Sequence, residues 1–576
     1  MKAQVMITPT ASDRTVRFAD FPTLTQALDF AATGETGINL YSLRGELVEA
    51  ISYAKLREDA QVLARRLLAT GAKVGDSVAL LAETDGDFVR AFFACQYAGL
   101  LPAPLALPTP LGGRAAYIEQ IKNLTTSAKA RILIGPVGLK DWVAEIGEAA
   151  GLDFAGVLAD LPEDANENGG AALPAIAPES PCYLQFSSGS TRTPTGVLVL
   201  HKALMANCVA ITRDGLQVVP SDRAISWLPL YHDMGLIGFL LAPLSCQMSV
   251  DLLPTGAFVR RPLLWIDLIS RNKATTAYSP TFGYELCARR VQGQSLESYD
   301  LSHWRQAGLG GDMIRMPPLK AFVEAFGPAG FSDKAFVASY GMAEATLALS
   351  MAPLGKGLRA ETLDVERLER DNLAVDAPEG SDRARDFARC GPALPHHFLD
   401  VRDESGAVLP ERGVGRIFAK GPSVMSGYFA NPEETARVLS ADGWLDTGDI
   451  GFKIEGEIVI TGRAKDLIIL NGRNIWPQDL EWTADHEIDG LRSGDVCAFA
   501  IPAEPEDQIV VLVQARGGDA DSRAALVEQV TTLLRTRHGV EAKVKLVGAH
   551  ALPQTSSGKL SRSKAKTAYL AGTYGD

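Results

Sequence analysis

Five short segments hold the residue types that could act on a charged small molecule. The first, YLQFSSGSTRTPTGV from Tyr183 to Val197, places Ser187, Ser188, Gly189, Ser190, Thr191 and Gly196 in a loop rich in hydroxyls and glycine, directly after a strand-like run. Backbone N–H groups and hydroxyls in such a loop can approach phosphate oxygens closely and hydrogen-bond them. Taken alone, the same composition also describes a solvent-exposed turn. Four further segments follow in order: SYGMAEAT (Ser339 to Thr346), GWLDTGD (Gly443 to Asp449), GRAKD (Gly462 to Asp466) and PQTSSGKLSR (Pro553 to Arg562). Each is ambiguous by itself, since a core tyrosine, a helix-start carboxylate, a turn aspartate and a surface lysine are ordinary in globular chains.

The chain that must position these segments has 576 residues, enough for about three to five folding units. Its 46% hydrophobic and 22% charged residues are ordinary globular usage and exclude wholesale disorder, collagen and coiled coil. The longest apolar stretch, Ala91 to Leu107, is broken by Gln96, Gly99, Pro102 and Pro104, so no segment reads as a membrane span. VALLA (Val78 to Ala82), a helical run with Phe88, Phe92 and Cys95 on one face, a stop at Gly99 and PAPLAL form a βαβ pattern. The rhythm recurs at Arg131 to Gly135 before Trp142, at Ile225 to Leu230, and at KATTAYS before YELCARR, which predicts an α/β architecture with largely parallel sheets. Leu161 to Glu179 reads as a linker. After Gly462 the texture changes to strands VCAFAIP and QIVVLVQA, a helix near Ser522 to Arg537 and a strand AKVKLVG, predicting an α+β unit with its boundary near Arg463 to Asp466.

Charge and cysteine usage narrow the setting. A net charge of −13 argues against general nucleic-acid binding. Thr532 to Asp576 nevertheless carries eight Lys/Arg against two acids, a local net of +6 suited to a negatively charged partner. The N-terminus lacks the apolar core of a secretory signal, and the seven cysteines are scattered with no CxxC, both of which fit a soluble, cytoplasmic protein. The eight histidines form no cluster, so no transition-metal site is expected.

Together the five segments resemble the superfamily of adenylate-forming enzymes that includes acyl-CoA synthetases, peptide-synthetase adenylation domains and luciferases, over nearly the whole chain. The resemblance implies a large N-terminal region, residues 1–463, of two stacked α/β subdomains and a β-rich one, then a small hinged α+β domain, residues 464–576. It implies ATP and Mg²⁺ as cofactors. Tyr340, with Gly341 and Met342, would stack on adenine, and Gly310, Gly311 and Asp312 would line the adenine pocket. Asp449 would accept from the ribose hydroxyls beside Arg463. Glu344 would hold Mg²⁺, a hard cation suited to carboxylate oxygen. Lys559 would place positive charge on the α-phosphate and acyl oxygens, and His232, in LPLYHDMG, would border the acyl carboxylate. Lys465 would be the hinge about which the small domain turns.

Two departures select within the superfamily. Where acyl-CoA synthetases have a phosphate loop ending TGxPKG, this chain has Arg192 and Thr195, and STRxPxGV, LPLYHDMGLIG, YGMAEAT and GRNIWPQDLE all look like fatty acyl-AMP ligases. Arg192 would offer a fork of donors toward phosphate. The 46 residues between Glu344 and Gly391 are the second departure. From Lys356 to Arg389, 16 of 34 residues are charged, a stretch expected to be solvated and not core, where the resemblance places an insertion associated with poor use of free coenzyme A. The activity implied is ATP-dependent adenylation of a fatty acid, then transfer to the phosphopantetheine thiol of an acyl carrier protein. The alternatives are a fatty acyl-CoA ligase and a non-catalytic nucleotide or acyl-binding module.

Overall fold

The computed structural model describes residues 6, 16–108, 113–163, 172–186, 195–470, 473–503, 507–554 and 560–575. Its largest sheet has eight strands. Six run parallel in the spatial order Phe336–Gly341, Gln306–Leu309, Thr276–Ser279, Arg223–Ser226, Ser249–Leu252 and Gly37–Tyr41, and antiparallel strands Ala348–Met351 and Leu47–Ser52 close the two edges. A four-stranded parallel sheet lies in the order Leu101–Leu105, Ser77–Leu81, Ala130–Ile134, Phe154–Gly156. The expected βαβ unit is here: Asp85 accepts from the Phe88 N–H to start the helix Gly86–Ala98, and Gly99, at φ 67°, ends it. Pro102 and Pro104 fit their strand because it lies at the sheet edge, where a missing N–H costs no ladder bond.

The middle of the large sheet is tied by a buried polar knot. Asp251 accepts from Arg223 Nε at 2.8 Å and Nη2 at 2.6 Å, from Asn39 Nδ2 at 2.9 Å and from Asn272 Nδ2 at 2.9 Å. With the Arg223 and Asp251 side chains 2% and 0% exposed, every lone pair needs its partner.

The β-rich layer is a six-stranded antiparallel sheet in the order Ala360–Asp364, Ala384–Pro392, Glu457–Arg463, Leu445–Ile454, Gly415–Lys420, Phe398–Arg402. Two of its strands and the helix Val365–Asp371 come from the charged stretch expected to be solvated, so that expectation is corrected. Leu363, Leu368, Ala374 and Phe387 are core residues that pack with Trp476. Composition misled because the charges pair with one another: Arg389 with Glu361 at 2.5 Å, and Arg383 with the buried Glu369 at 2.8 Å.

From Ile468 the chain builds a smaller unit: a hairpin Ile468–Leu470 and Arg473–Ile475, helices Pro477–Glu487 and Ala520–His538, a three-stranded sheet Val496–Ile501, Gln508–Gln514, Ala542–Val547, and the helix Arg562–Leu570. Its own apolar cluster includes Ile475, Leu480, Val511 and Leu534. Two cations counted in the basic C-terminal stretch are not available as free charge, because Arg562 forks onto Glu481 at 2.8 and 2.6 Å and reaches Asp466 at 3.0 Å, while Arg537 pairs with Glu487 and Asp382. All seven cysteines are buried thiols, and among the described residues no helix is long and apolar enough to cross a membrane.

Asp251→Ala is expected to cost about 3–5 kcal/mol, because it strands a buried guanidinium, and Asp251→Asn, which keeps an acceptor, less. The urea midpoints of the two variants measure the difference.

Candidate functional site

A cavity of about 420 Å³ opens where the C-terminal ends of the large sheet's strands meet the β-rich layer. Strand Phe336–Gly341 delivers Ser339, Tyr340 and Gly341 to its wall. Gly341 is required there by close approach: a Cβ would lie 1.8 Å from the Leu347 carbonyl oxygen. The chain then makes a tight 3₁₀ turn, Ala343–Ala345, and leaves it through Thr346 at φ 68°, ψ −65°, a strained conformation for a β-branched residue. Thr346 is held by donating to the Ser423 carbonyl at 2.7 Å, and the Glu344 carbonyl accepts from Met425 N–H. These anchors turn Glu344 into the cavity.

Opposite, the hairpin of Leu445–Ile454 and Glu457–Arg463 places Asp449 directly across from Arg463. Gly448, at φ 74°, lies within its strand where the register with Gly415–Lys420 shifts, and Asp449 N–H donates to Thr447 Oγ1 at 3.2 Å. The Tyr340 hydroxyl donates to Asp449 Oδ2 at 2.8 Å, and Arg463 Nε lies 3.2 Å from Oδ1. Burial raises the Asp449 pKa, opposed by Arg463 and Tyr340. The Lys465 pKa is lowered, first by burial and then by Arg463. Glu344 is likewise held above the usual carboxylate range by burial, while the Tyr428 hydroxyl, donating to its Oε1 at 2.9 Å, pulls it back down.

The other end of the cavity is apolar. His232 stands at the start of the short helix Asp233–Leu236, with Nδ1 2.6 Å from Asp233 Oδ1 and its ring on the cavity wall. Beyond it the wall is Gly238, Phe239, Tyr278, Leu347 and Met351. The serine- and glycine-rich segment lies between Phe186 and Thr195, both on the cavity wall. Ser187, Ser188, Gly189, Ser190, Thr191 and Arg192 themselves, like Lys559, are outside the described residues.

A model of the family described as AMP-binding enzyme matches residues 38–429. The chain belongs to the AMP-binding enzymes. A Caulobacter vibrioides (strain NA1000 / CB15N) protein provisionally named an acyl-CoA synthetase is 91% identical over 576 residues, 100% of both chains. The medium-chain-fatty-acid–[acyl-carrier-protein] ligase JamA of Moorena producens (strain JHB) is 30% identical, covering 96% of each chain. A solved structure from a study of fatty acyl-adenylate ligases of E. coli and L. pneumophila matches with a TM-score of 0.92 at 41% identity, covering 98% of this chain and 100% of the other. Within the AMP-binding enzymes, these likenesses place it with the fatty acyl-AMP ligases.

In this AMP-binding enzyme the fold brings together most of the residues singled out from sequence: Gly310, Gly311, Tyr340, Gly341, Met342, Glu344, Arg463, Lys465 and His232 all line the one cavity, and Asp449 joins it through Tyr340 and Arg463. Asp312 does not; it is exposed, off the cavity wall, and its carboxylate accepts from the next residue's N–H at 2.8 Å. Lys465, expected only as a hinge, is also a wall residue. Tyr428 was missed. It sits in a two-residue strand and reaches Glu344 only because Gly427 and Tyr428 pair with Leu198 and Val197 just beyond the serine-rich segment, a long-range contact with no local signature.

Tyr340→Phe keeps the ring and removes only the hydrogen bond to a charged acceptor, so AMP affinity should fall about tenfold. Calorimetric titration measures it; an unchanged Kd would mean that the hydroxyl does not orient Asp449.

Proposed function

We propose that this AMP-binding enzyme is a fatty acyl-AMP ligase: it joins a fatty acid to ATP, giving acyl-adenylate and pyrophosphate, and passes the acyl group to the phosphopantetheine thiol of an acyl carrier protein. The observation that carries this is one continuous cavity with a polar end at Tyr340, Glu344 and Arg463 and an apolar end running past His232 to Tyr278 and Met351. A nucleotide fits the first end and an alkyl chain the second, with the reacting atoms between.

A carboxylate oxygen of the fatty acid attacks the α-phosphorus; the bond from that phosphorus to the bridging oxygen of the β-phosphate breaks and pyrophosphate leaves. Tyr340 supplies the adenine platform, Asp449 accepts from the ribose, and Arg463 steadies both. His232, on the cavity wall between the two ends, borders the carboxylate. Ser187 to Arg192 would hold the departing phosphates and Lys559 would offset the charge that develops on the α-phosphate. Glu344 fits Mg²⁺, since that ion is commonly held by one or two carboxylates together with substrate phosphates, and it would neutralise phosphate charge when bound. Among the described residues no group of three or more His, Cys, Asp and Glu offers a fuller cage.

Transfer requires the small unit, residues 464–576, to turn about Lys465 so that the Lys559 segment gives way to the thiol. The 356–389 region bears on that motion. Arg385 Nη1 pairs with Oδ1 of the buried Asp479 of the small unit, and the guanidinium lies 4.8 Å from the Trp482 ring; Glu369 accepts from Arg473 at 2.7 Å; Asn474 donates to Asn372 at 2.9 Å. These contacts favour the docked arrangement and so oppose the rotation, a cost that the binding of a whole carrier protein would offset and free coenzyme A would not. Lys564, exposed, and Lys566, partly exposed, are placed to meet an acidic carrier, whereas Arg562 is held by Glu481 and Asp466.

Three tests separate this reading from its rivals. Fatty-acid-dependent ATP–pyrophosphate exchange should be present in the wild type and lost in Lys559→Ala; no exchange at all would favour a binding module. With coenzyme A supplied, acyl-AMP should accumulate, and Arg385→Ala combined with Asn372→Ala should raise acyl-CoA formation severalfold; rapid wild-type thioester formation would indicate an acyl-CoA ligase. Only the ionised Glu344 can bind a cation, so activity should fall as pH drops through its raised pKa. Tyr428→Phe removes a donor that favours the anion, so the acid limb should move to higher pH and half-saturating Mg²⁺ should rise.

A further inference from the structure

The apolar end of the cavity is built from two π-helical turns and one methionine. The helix His201–Val209 continues into the π turn Ala210–Gly215, and the short helix after His232 continues into the π turn Ile237–Leu241. Such turns are rare and concentrate at functional sites, because the extra residue pushes one side of the helix outward. Here the first turn brings Ile211 to the cavity wall, with Leu216 just after it, and the second brings Gly238 and Phe239.

Met351, the last residue of the edge strand Ala348–Met351, lines the same cavity. That strand is fixed: Asn207 donates to the Ala348 carbonyl at 2.8 Å and accepts from its N–H at 3.0 Å, so the first π-turn helix and the strand share one register. The Met351 thioether lies where Gly215 leaves room for it, since a Cβ on Gly215 would sit 2.3 Å from Sδ. Gly238 is the opposite case: a Cβ there would meet only Leu347, at an ordinary 3.5 Å. One glycine is filled by a flexible side chain, and the other leaves space on the wall.

We propose that Met351, seated against Gly215, closes the acyl tunnel and sets the length of fatty acid accepted, with Gly238 setting its girth midway. The proposal rests on the fatty acyl-AMP ligase reading above. A methionine suits an end wall because its unbranched thioether side chain has three rotatable bonds and repacks around chains of slightly different length. The substrate class it defines is a straight saturated acid whose terminal methyl packs against the thioether; a bulky or branched terminus would meet Ile211 and Leu216.

The test is ATP–pyrophosphate exchange across an even-numbered series of saturated fatty acids, scored as kcat/KM for wild type, Met351→Ala, Met351→Phe and Gly238→Val, with melting temperature recorded for each. Each methylene newly buried is worth about fourfold. Met351→Ala should therefore move the optimum to longer acids by about two carbons, with a gain of about tenfold or more on the longer member, and Met351→Phe should move it to shorter ones. Gly238→Val should lower kcat/KM for acids reaching past it while sparing the shortest. If Met351→Ala does not fold, Met351→Phe and Gly238→Val still decide the matter. An unchanged length profile in folded Met351 variants overturns the inference while leaving the ligase reading intact. Absence of exchange with every acid in the wild type overturns the ligase reading, and the inference with it.

Discussion

The site depends on a single meeting of two sheets. Tyr340 ends a strand of the parallel sheet, Asp449 and Arg463 face one another across an antiparallel hairpin, and the Tyr340 hydroxyl donates to the Asp449 carboxylate between them. Asp449 is only 5% exposed and burial raises its pKa, so the tyrosine and arginine are what keep an ionised acceptor in that position. Without this contact the two layers would still fold, but the cavity between them would have no defined polar end.

Other features serve the same junction. Gly341 lets the strand pass close to Leu347, and strained Thr346 turns Glu344 back toward the hairpin. Tyr428 adds a hydrogen bond to Glu344 from the short strand that borders the serine-rich segment, so carboxylate, hairpin and that segment's flank are joined through side chains from distant parts of the chain. Strain held by several anchors at one turn is the usual mark of a site whose geometry matters more than its local stability.

Much of this was legible in the sequence, for identifiable reasons. The βαβ unit around Gly99 could be read because Asp85, the helical face and the stopping glycine each act locally. The grouping of Tyr340, Glu344, Arg463 and His232 was legible only through resemblance, since no local rule says that segments more than a hundred residues apart share a cavity. The 356–389 region was misread because composition cannot distinguish solvated charges from paired ones: Arg383, Arg385 and Arg389 each have a carboxylate partner, two of them buried. Arg562 was misread for the same reason, its partners Glu481 and Asp466 lying far back along the chain. The acyl end of the cavity was invisible because Ile211, Phe239, Tyr278 and Met351 look like any core residues until two π turns and two strand ends from distant parts of the chain bring them to one wall.

The most direct test of the central contact is the affinity of a non-hydrolysable acyl-sulfamoyl adenosine for the wild type and for Asp449→Ala, measured by calorimetry alongside the melting temperature. Loss of a buried carboxylate that accepts from Tyr340 and, in the proposed complex, from the ribose should weaken binding by about 10- to 100-fold with the fold retained. Equal affinity in a folded variant would contradict the account, because the adenylate would then be held somewhere other than the junction of Tyr340, Asp449 and Arg463.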